Sequence, residues 1–399
     1  MSSVIVVDNT LKDSVREYAQ ILDAANQNSE VSKELQGFFQ DSNISDSNGL
    51  LSSIYTSSTS LNKLSDKEFE PTFNLLIYIV SEVSNASTLD DKSSPLLKLL
   101  VDTVPTKQPS LRDRKSIKST SILSCFNTYF NLLPESSSTR IHILHQIFNL
   151  IEISNIDYSL VEENISKNLI GWAKLANCSD GEIKSLFWTF INLDTKFSST
   201  SLKSIKSFTE TYTVETAELL SLIKFCLSSE TVDISFLVNH SVSESMAANS
   251  QQELVAIFGK YINGEYTNLS SPIEGLDIEF INSKSKILAL AKFFATESSK
   301  NPSKITFSYS EIPNISSSSE FEILLVNAIK FGIIEGKLNQ ISETFYLSRV
   351  NKFILPGQND ENLKNWMDVK KALVDWKDSL SNINDIVKSS RENIVNSSA

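Results

Sequence analysis

Residues 304–350 read KITFSYSEIPNISSSSEFEILLVNAIKFGIIEGKLNQISETFYLSRV. Within this stretch, residues 305–309 alternate apolar and polar side chains with the period of two that is typical of a half-buried strand. Residues 310–315 suffice only for a short turn of helix. Residues 318–331 place apolar side chains at three- and four-residue intervals, which predicts an amphipathic helix closed by Gly332. We expect its buried stripe to consist of Phe321, Leu324, Leu325, Ala328 and Ile329.

Two short strands follow this helix. Residues 333–338 and 344–350 each read as a strand, and residues 339–343 between them form a turn. The order strand, helix, helix, strand, turn, strand is that of a winged-helix module. The sequence therefore predicts a small α+β module at 304–350.

The residues before this module predict helices with short connections. From residue 119 to residue 303, apolar runs with helical spacing alternate with short polar breaks, and helices of roughly 12 to 18 residues joined in this way pack antiparallel. No strict consensus recurs, so the pattern favours a degenerate helical-repeat solenoid in an all-α dominated fold. Residues 1–118 predict N-terminal helices, with Ser- and Asn-rich loops at 27–65 and an exposed connector at 104–119.

After Pro356-Gly357 the chain is predicted to end in one long helix at 358–395. Apolar residues on this helix keep the a and d spacing of a heptad repeat over three repeats. We call them the seam: Trp366, Val369, Leu373, Trp376, Leu380, Ile383 and Val387. A stripe of two residues in seven is narrower than that of a globular helix and is typical of a helical bundle.

The seam requires a partner, because two tryptophans on one stripe are too much apolar area to leave in water. One candidate partner is another subunit, and this is the interpretation we favour. The alternative is that the seam packs on the winged helix of the same chain. Of the seam residues, Trp366 is the one that we expect to pack against the chain's own body.

Composition excludes several classes of function. The 399 residues include only 10 Gly and 9 Pro, and the sequence contains no Gly-rich phosphate loop, nucleophile elbow or zinc-protease motif. The 36 Lys and Arg against 48 Asp and Glu give a net charge of −12, so the body of the protein repels phosphate backbones. No apolar run approaches the ~18 residues that a membrane helix needs. We therefore expect no enzyme, no cofactor and no membrane partner.

Histidines and cysteines do not assemble a site in the sequence. His142 and His145 are three residues apart on a predicted helix, but no third or fourth zinc ligand accompanies them, so we expect no metal site. Cys125, Cys178 and Cys226 are an odd number and lie in apolar segments. That usage predicts reduced, buried thiols in a cytosolic or nuclear protein.

A basic cluster lies in the connector at 104–119. Its members are candidates for weak contact with ribosomal or messenger RNA: Arg112, Arg114, Lys115 and Lys118. The alternative, which we favour, is a solvated linker without a bound ligand.

A helical-repeat body followed by one winged helix and a terminal helix resembles the PCI family. These proteins are scaffold subunits shared by the proteasome lid, the COP9 signalosome and translation initiation factor 3. Residues 331–340, FGIIEGKLNQ, are similar to the wing strand of the family, with its G/C-K-[IL]-[DN]-Q core. Residues 372–387, ALVDWKDSLSNINDIV, are similar to the L-x-x-W-K-x-x-L-x-x-[IV] terminal helix of the m-type subunits of initiation factor 3. Residues 119–193 are similar to their central helices, so the resemblance covers 119–395.

The resemblance implies a non-catalytic scaffold subunit in the cytoplasm, with a PCI domain that combines a helical bundle from about residue 180 and the winged helix. Its partners would be the other subunits of initiation factor 3 and, through the complex, the small ribosomal subunit, where it would support mRNA recruitment. The winged helix would extend the sheet edge of a neighbour, with Lys337 and Tyr346 as candidate contacts. The terminal helix would join a multi-subunit bundle.

Two alternatives stay open from the sequence. The first is a PCI subunit of the COP9 signalosome, similar to its seventh subunit, or of the proteasome lid. The second is a winged-helix nucleic-acid binder that acts alone through its second helix. That helix carries Glu320 and Glu322 against Lys330, which disfavours contact with phosphates.

Overall fold

The computed structural model describes residues 9–40, 43–84, 89–104, 117–269, 273, 275–301, 304–313, 315, 317–351 and 360–397. The chain divides into two compact units, Met1–Thr195 and Lys196–Ala399. Helices form most of both units, and a three-stranded antiparallel sheet lies in the second. These features confirm the predicted fold class, a mainly helical chain of the helical-repeat type with a small winged-helix module and a long C-terminal helix. The predicted boundaries after residues 118 and 303 stay predictions.

Ten helices make up most of the described part of the first unit. They are α1 (Leu11–Asn26), α2 (Glu30–Gln36), α3 (Ser47–Ser58), α4 (Asp66–Val83), α5 (Pro95–Thr103), α6 (Ser119–Leu132), α7 (Ser138–Ser154), α8 (Ser159–Ser166), α9 (Leu169–Leu175) and α10 (Asp180–Asn192). A hairpin of two short strands, β1 (Phe39–Gln40) and β2 (Asn43–Ile44), lies between α2 and α3. The buried faces of the helices form the core, where the Tyr129 hydroxyl donates to the Leu89 carbonyl at 2.9 Å.

The prediction of long loops at residues 27–65 is wrong, because this region forms α2, the hairpin and α3. Asp46 caps α3 by accepting hydrogen bonds from two backbone N–H groups of the first turn. Leu50 and Ile54 lie one turn apart on α3 and are fully buried. A region with many serines and few apolar residues can therefore fold, since its few apolar residues share one face of a capped helix.

The second unit contains seven helices and three strands among its described residues. They are α11 (Ser199–Thr211), α12 (Thr216–Ser228), α13 (His240–Ala248), α14 (Glu253–Ile262), α15 (Ile278–Lys300), β3 (Thr306–Ser308), α16 (Ser318–Lys330), β4 (Ile334–Asn339), β5 (Thr344–Val350) and α17 (Asp360–Ser397). The apolar faces of α12, α14 and α15 are buried and contribute to the core of this unit.

A buried lysine joins two helices of this core. Lys284 of α15 is 2% exposed, and its Nζ donates to the carbonyl of Ser229 at 2.7 Å. It also donates to the carbonyls of Leu227 and Cys226 at 3.2 and 3.3 Å. The last carbonyls of a helix lack partners within that helix, so this ammonium group satisfies the C-terminal end of α12. Burial lowers the pKa of Lys284 to about 8.

The winged-helix module has the order that the sequence predicts. A short 3-10 turn, Tyr309–Glu311, and α16 lie between β3 and β4, and the strand order in the sheet is β3-β5-β4. The sheet packs on α15 through aromatic contacts, since the rings of Phe307 and Phe345 lie 4.9 and 5.4 Å from the ring of Phe294. The predicted bounds of α16 and β4 differ from the observed ones by one residue at most, and β5 matches its prediction.

The end of α16 confirms one prediction and corrects another. Gly332 follows the helix with a φ of 69°, which favours glycine, and its N–H donates to the Ile329 carbonyl at 2.9 Å. Ile329 was expected in the buried stripe but is 38% exposed. Consecutive residues of a helix point about 100° apart, so Ile329 lies at the edge of the face that Ala328 occupies.

Candidate interaction surfaces

α17 presents the seam to solvent along its length. The helix has 38 residues and is therefore about 57 Å long. Trp366 and Trp376 are 57% and 64% exposed, and Val369 is half-buried. Every side chain from residue 370 to residue 391 is exposed, which includes the rest of the seam. The described part of the chain therefore leaves the seam uncovered, and Trp366 lies with the other seam residues rather than in the core.

The seam is continuous over a long stretch of α17. From Trp366 to Val387 it rises about 32 Å, or about six helical turns. At its N-terminal end, Trp366, Val369 and Leu373 lie next to one another on one side of α17. The helix is long, yet no helix in the described part of the chain combines the length and apolarity that crossing a membrane requires.

β4 forms an open edge of the three-stranded sheet among the described residues, since it pairs with β5 on one side only. In β5, the N–H of Leu347 donates to the Ile305 carbonyl at 2.8 Å, on the side away from β4. Backbone groups alternate in direction along an antiparallel strand, so Tyr346, which precedes Leu347 in β5, directs its backbone groups toward Lys337 of β4. By the same alternation and the observed register, Gly336 and Leu338 direct their backbone N–H and C=O groups away from the sheet. Such groups can pair with a strand from another chain.

The structure brings together two residues that the sequence marked as candidate contacts. Lys337 of β4 lies directly opposite Tyr346 of β5, and both side chains are exposed. Nearby, the Arg349 guanidinium contacts the Glu335 carboxylate at 3.1 Å across the same two strands. The solvent face beside the open edge thus carries an aromatic ring and charged groups of both signs.

Sequence reasoning missed an apolar surface on α16. Ile323 and Val326 are 63% and 58% exposed, and Phe331, just after the helix, is 40% exposed. Ile323 and Val326 lie about opposite the buried Phe321 and Ala328, given the turn of 100° per residue. The sequence did contain a signal for this surface, namely apolar residues on the side of α16 opposite its buried stripe. A helix that is apolar on two sides is typically buried on both.

The charges around α16 do not suit a nucleic-acid backbone. Glu320 forms an ion pair with Lys286 of α15, with Oε1 and Nζ 2.6 Å apart. Glu322 accepts a hydrogen bond from the Gln340 amide at 2.7 Å. The helix carries one basic residue, Lys330, beside its exposed apolar side chains. A helix that reads DNA needs basic and polar groups on this face instead.

Most of the predicted basic cluster lies outside the described residues: Arg112, Arg114 and Lys115. Lys118 is described, and its Nζ lies 3.4 Å from Oδ2 of Asp66. Its backbone N–H also donates to Oδ1 of Asp66 at 2.9 Å. The charge of Lys118 is therefore paired with an acidic residue at the start of α4.

The histidines and cysteines do not converge on a site. Burial lowers the pKa of His142 and of His145, and the neighbouring positive charge of Lys92 contributes at the first. Among the described residues, no group of three or more His, Cys, Asp or Glu side chains could hold a metal ion. Two cysteines, Cys125 and Cys226, are buried as expected. Cys178 is half-buried, which corrects the prediction for that residue.

Comparison with known proteins finds relatives that share one name, eukaryotic translation initiation factor 3 subunit M. The relative from Emericella nidulans is 23% identical, with all of this chain and 92% of the relative aligned. The relative from Pyricularia oryzae is 24% identical over 95% of this chain and 86% of its own length. The relative from Coccidioides immitis is 21% identical over 87% and 75%. No protein-family model matches the chain. The similarity extends over nearly the full length and confirms the predicted resemblance to the m-type subunits.

Proposed function

We propose that this chain is a non-catalytic scaffold subunit of the translation initiation factor 3 complex and that it works in the cytoplasm. The observation that carries the proposal is the uncovered seam of α17. An apolar stripe of this length with two exposed tryptophans suits a chain whose fold is completed by partners. The name shared by the relatives supports the identity of the complex.

In this role α17 joins a bundle with helices of other subunits. Trp366 and Trp376 act as anchors, since aromatic residues at the centre of an interface typically contribute about 2 kcal/mol or more each. Leu373 lies between them on the seam and Leu380 follows Trp376 by about one turn, and both pack beside these anchors in the heptad arrangement. Because these side chains are exposed in the single chain, their burial stabilises the assembly without competing with the chain's own core.

The winged helix supplies a second attachment. The outward backbone groups of Gly336 and Leu338 pair with a strand of a neighbouring subunit, and Lys337 and Tyr346 contact that neighbour beside the edge. The exposed face of α16 around Ile323 adds an apolar contact on the same module. In this proposal a PCI domain extends from about residue 180 through residue 350, and the bundle helix follows it.

At the level of the complex, the chain helps to attach initiation factor 3 to the small ribosomal subunit and supports mRNA recruitment there. Direct contact with RNA is a weak and secondary part of the proposal. It depends on Arg112, Arg114 and Lys115, because Lys118 is paired with Asp66.

A subunit of the COP9 signalosome or the proteasome lid could use the same surfaces, since they share the PCI fold. The common name of the relatives favours the initiation factor. A winged-helix binder that acts alone on nucleic acid is disfavoured by the apolar side chains and carboxylates of α16.

The test is affinity purification of the chain from its own cells at moderate salt, with mass spectrometry of the co-eluting proteins. We expect the other subunits of initiation factor 3 and ribosomal proteins of the small subunit. Recovery of signalosome or lid subunits would overturn the proposed function, and recovery of the chain alone would overturn the scaffold role.

A variant pair localises the attachment. The double substitution Trp376→Asp and Leu380→Asp places two charges in the seam and should abolish co-elution, while the isolated chain stays folded. The matched control, Asp378→Lys and Asp385→Lys, changes two exposed residues elsewhere on the same helix and should co-elute as wild type does. Unchanged co-elution of the seam variant would contradict attachment through α17.

A further inference from the structure

The two flanks of the seam carry different chemistry. With Trp366 at heptad position a and Val369 at position d, the e positions along the seam hold Lys370, Lys377, Asn384 and Arg391. The described g positions, on the other flank, hold Ala372, Ser379 and Ile386. All of these side chains are exposed. One edge of the apolar stripe is thus lined by three positive charges, and the other edge is uncharged.

The helix does not neutralise this basic flank. Helical side chains pair at separations of three or four residues, and no acidic residue lies at that distance from Lys370, Lys377 or Arg391. By contrast, Lys371 on the far side of the helix is followed four residues later by Asp375, which lies at a distance suited to pairing. The acidic residues of the exposed stretch lie at positions c and f, away from the seam: Asp375, Asp378 and Asp385.

We propose that the seam binds an amphipathic helix of another subunit that carries acidic residues at seven-residue intervals beside its apolar stripe. This inference rests on the proposed function and specifies the chemistry of the partner. In a helical pair, e residues face the g residues of a parallel partner or the e residues of an antiparallel one. Carboxylates at those positions lie opposite Lys370, Lys377 and Arg391, so the basic flank selects the partner and its register.

A second copy of this chain fits the flank poorly. In an antiparallel pair of α17 helices the e positions face each other, so lysine meets lysine or arginine. In a parallel pair the basic side chains face Ala372, Ser379 and Ile386, which carry no charge. Neither arrangement neutralises the flank, and the first adds repulsion.

An anionic membrane surface fits poorly as well. Helices that lie on such surfaces have a polar face rich in Lys and Arg. α17 carries seven acidic and six basic residues, and its far side includes Asp375, Asp378 and Asp385. The far side thus carries charges of both signs, since Lys371 also lies there, whereas the e flank carries basic residues only, as pairing with a single acidic helix requires.

The test uses the full chain and two synthetic four-heptad peptides with Ile at a and Leu at d. One peptide carries Glu at all e and g positions, and the other carries Lys there. Dissociation constants are measured by fluorescence anisotropy of the labelled peptides at about 100 mM salt, where exposed charges within about 10 Å still interact. Three exposed ion pairs of ordinary strength predict that the acidic peptide binds about tenfold more tightly than the basic one.

Charge-reversal variants give the matched comparison. The triple variant K370E/K377E/R391E should invert the preference, because the flank becomes acidic. The control D375K/D378K/D385K reverses three charges away from the seam and should keep the wild-type preference. Circular dichroism verifies that both variants keep the helical content of wild type. Raising the salt to about 1 M should shrink the difference between the peptides, since screening acts on the charges and not on the apolar stripe.

Different contrary results of this test would overturn different parts of the proposal. Equal affinity of wild type for the two peptides overturns the acidic partner but leaves the proposed scaffold function in place. Failure of both peptides to bind overturns the seam as a helix-binding surface and, with it, the bundle part of the proposed function. Dimerisation of the chain through α17 in analytical ultracentrifugation, or binding to phosphatidylserine-containing vesicles that the triple variant loses, overturns the proposal in favour of a second copy or a membrane.

Discussion

Replacement of Trp376 by alanine should separate assembly from folding. A tryptophan side chain buries about 200 Å² when it is fully covered, and Trp376 is 64% exposed in the single chain. A partner can therefore cover about 130 Å² of additional apolar surface, which corresponds to about 3 kcal/mol at 25 cal per Å². The substitution should weaken association by about 100-fold. Since this surface is already exposed before assembly, the stability of the isolated chain should change by less than about 0.5 kcal/mol.

Two measurements test this separation. Titration of the purified chain into a complex of the remaining subunits gives the change in Kd, and thermal unfolding of the isolated chain followed by circular dichroism gives the change in Tm. Lys371→Ala, on the far side of α17, is the control and should leave both quantities unchanged. A fall of several degrees in the Tm of the isolated Trp376→Ala chain would place Trp376 in the chain's own core and refute the reasoning. An unchanged Kd would refute it equally.

Three other predictions concern the stability and the solubility of the isolated chain. The pKa of Lys284 is lowered by burial from 10.5 to about 8, so the unfolded chain binds more protons between these values and stability rises with pH there. Between about pH 7.5 and about pH 9.5 this group should raise the free energy of unfolding by about 2 kcal/mol. Urea titrations at the two pH values should show this rise in the wild-type chain and not in Lys284→Met. Gly336→Ala should lower Tm, because its Cβ would overlap the Phe345 ring and the Tyr346 carbonyl, whereas the control Gly171→Ala meets no atom within 4 Å and should not. A chain that ends at residue 356 should stay soluble and helical, and aggregation of that truncated chain would show that α17 belongs to its core.

The elements that sequence reasoning located well are those with a strong local signal. α16 was predicted within one residue because amphipathic periodicity and Gly332 mark its bounds. β5 matches its predicted bounds, which follow the turn predicted at residues 339–343. The helices at residues 30–58 were missed because the Ser- and Asn-rich runs in this region were interpreted as loops. What stabilises those helices is the burial of a few residues such as Leu35 and Leu50, and composition does not report which residues are buried.

The candidate interaction surfaces show the same division between local and tertiary information. The seam of α17 was predicted residue by residue, since its heptad spacing lies along one helix. The apolar face of α16 around Ile323 and Val326 was missed, because which side of a helix stays uncovered depends on the elements that pack against it. The sheet edge was expected in general terms, and the strand order was needed to show that β4 provides it.

The sequence alone thus determined the helical class, the winged-helix order near the C-terminus and the stripe of seven apolar residues on the last helix. Each follows from the spacing of side chains within one segment, where a period of two, 3.6 or 3.5 residues has a direct structural meaning. Only the tertiary structure decided that the seam is exposed and that the backbone N–H and C=O groups of Gly336 and Leu338 point away from the sheet. It also decided that Lys284 donates hydrogen bonds to the carbonyls at the end of α12. Those properties depend on contacts between residues far apart in the chain, and burial and backbone pairing at such distances leave no periodic trace in the sequence.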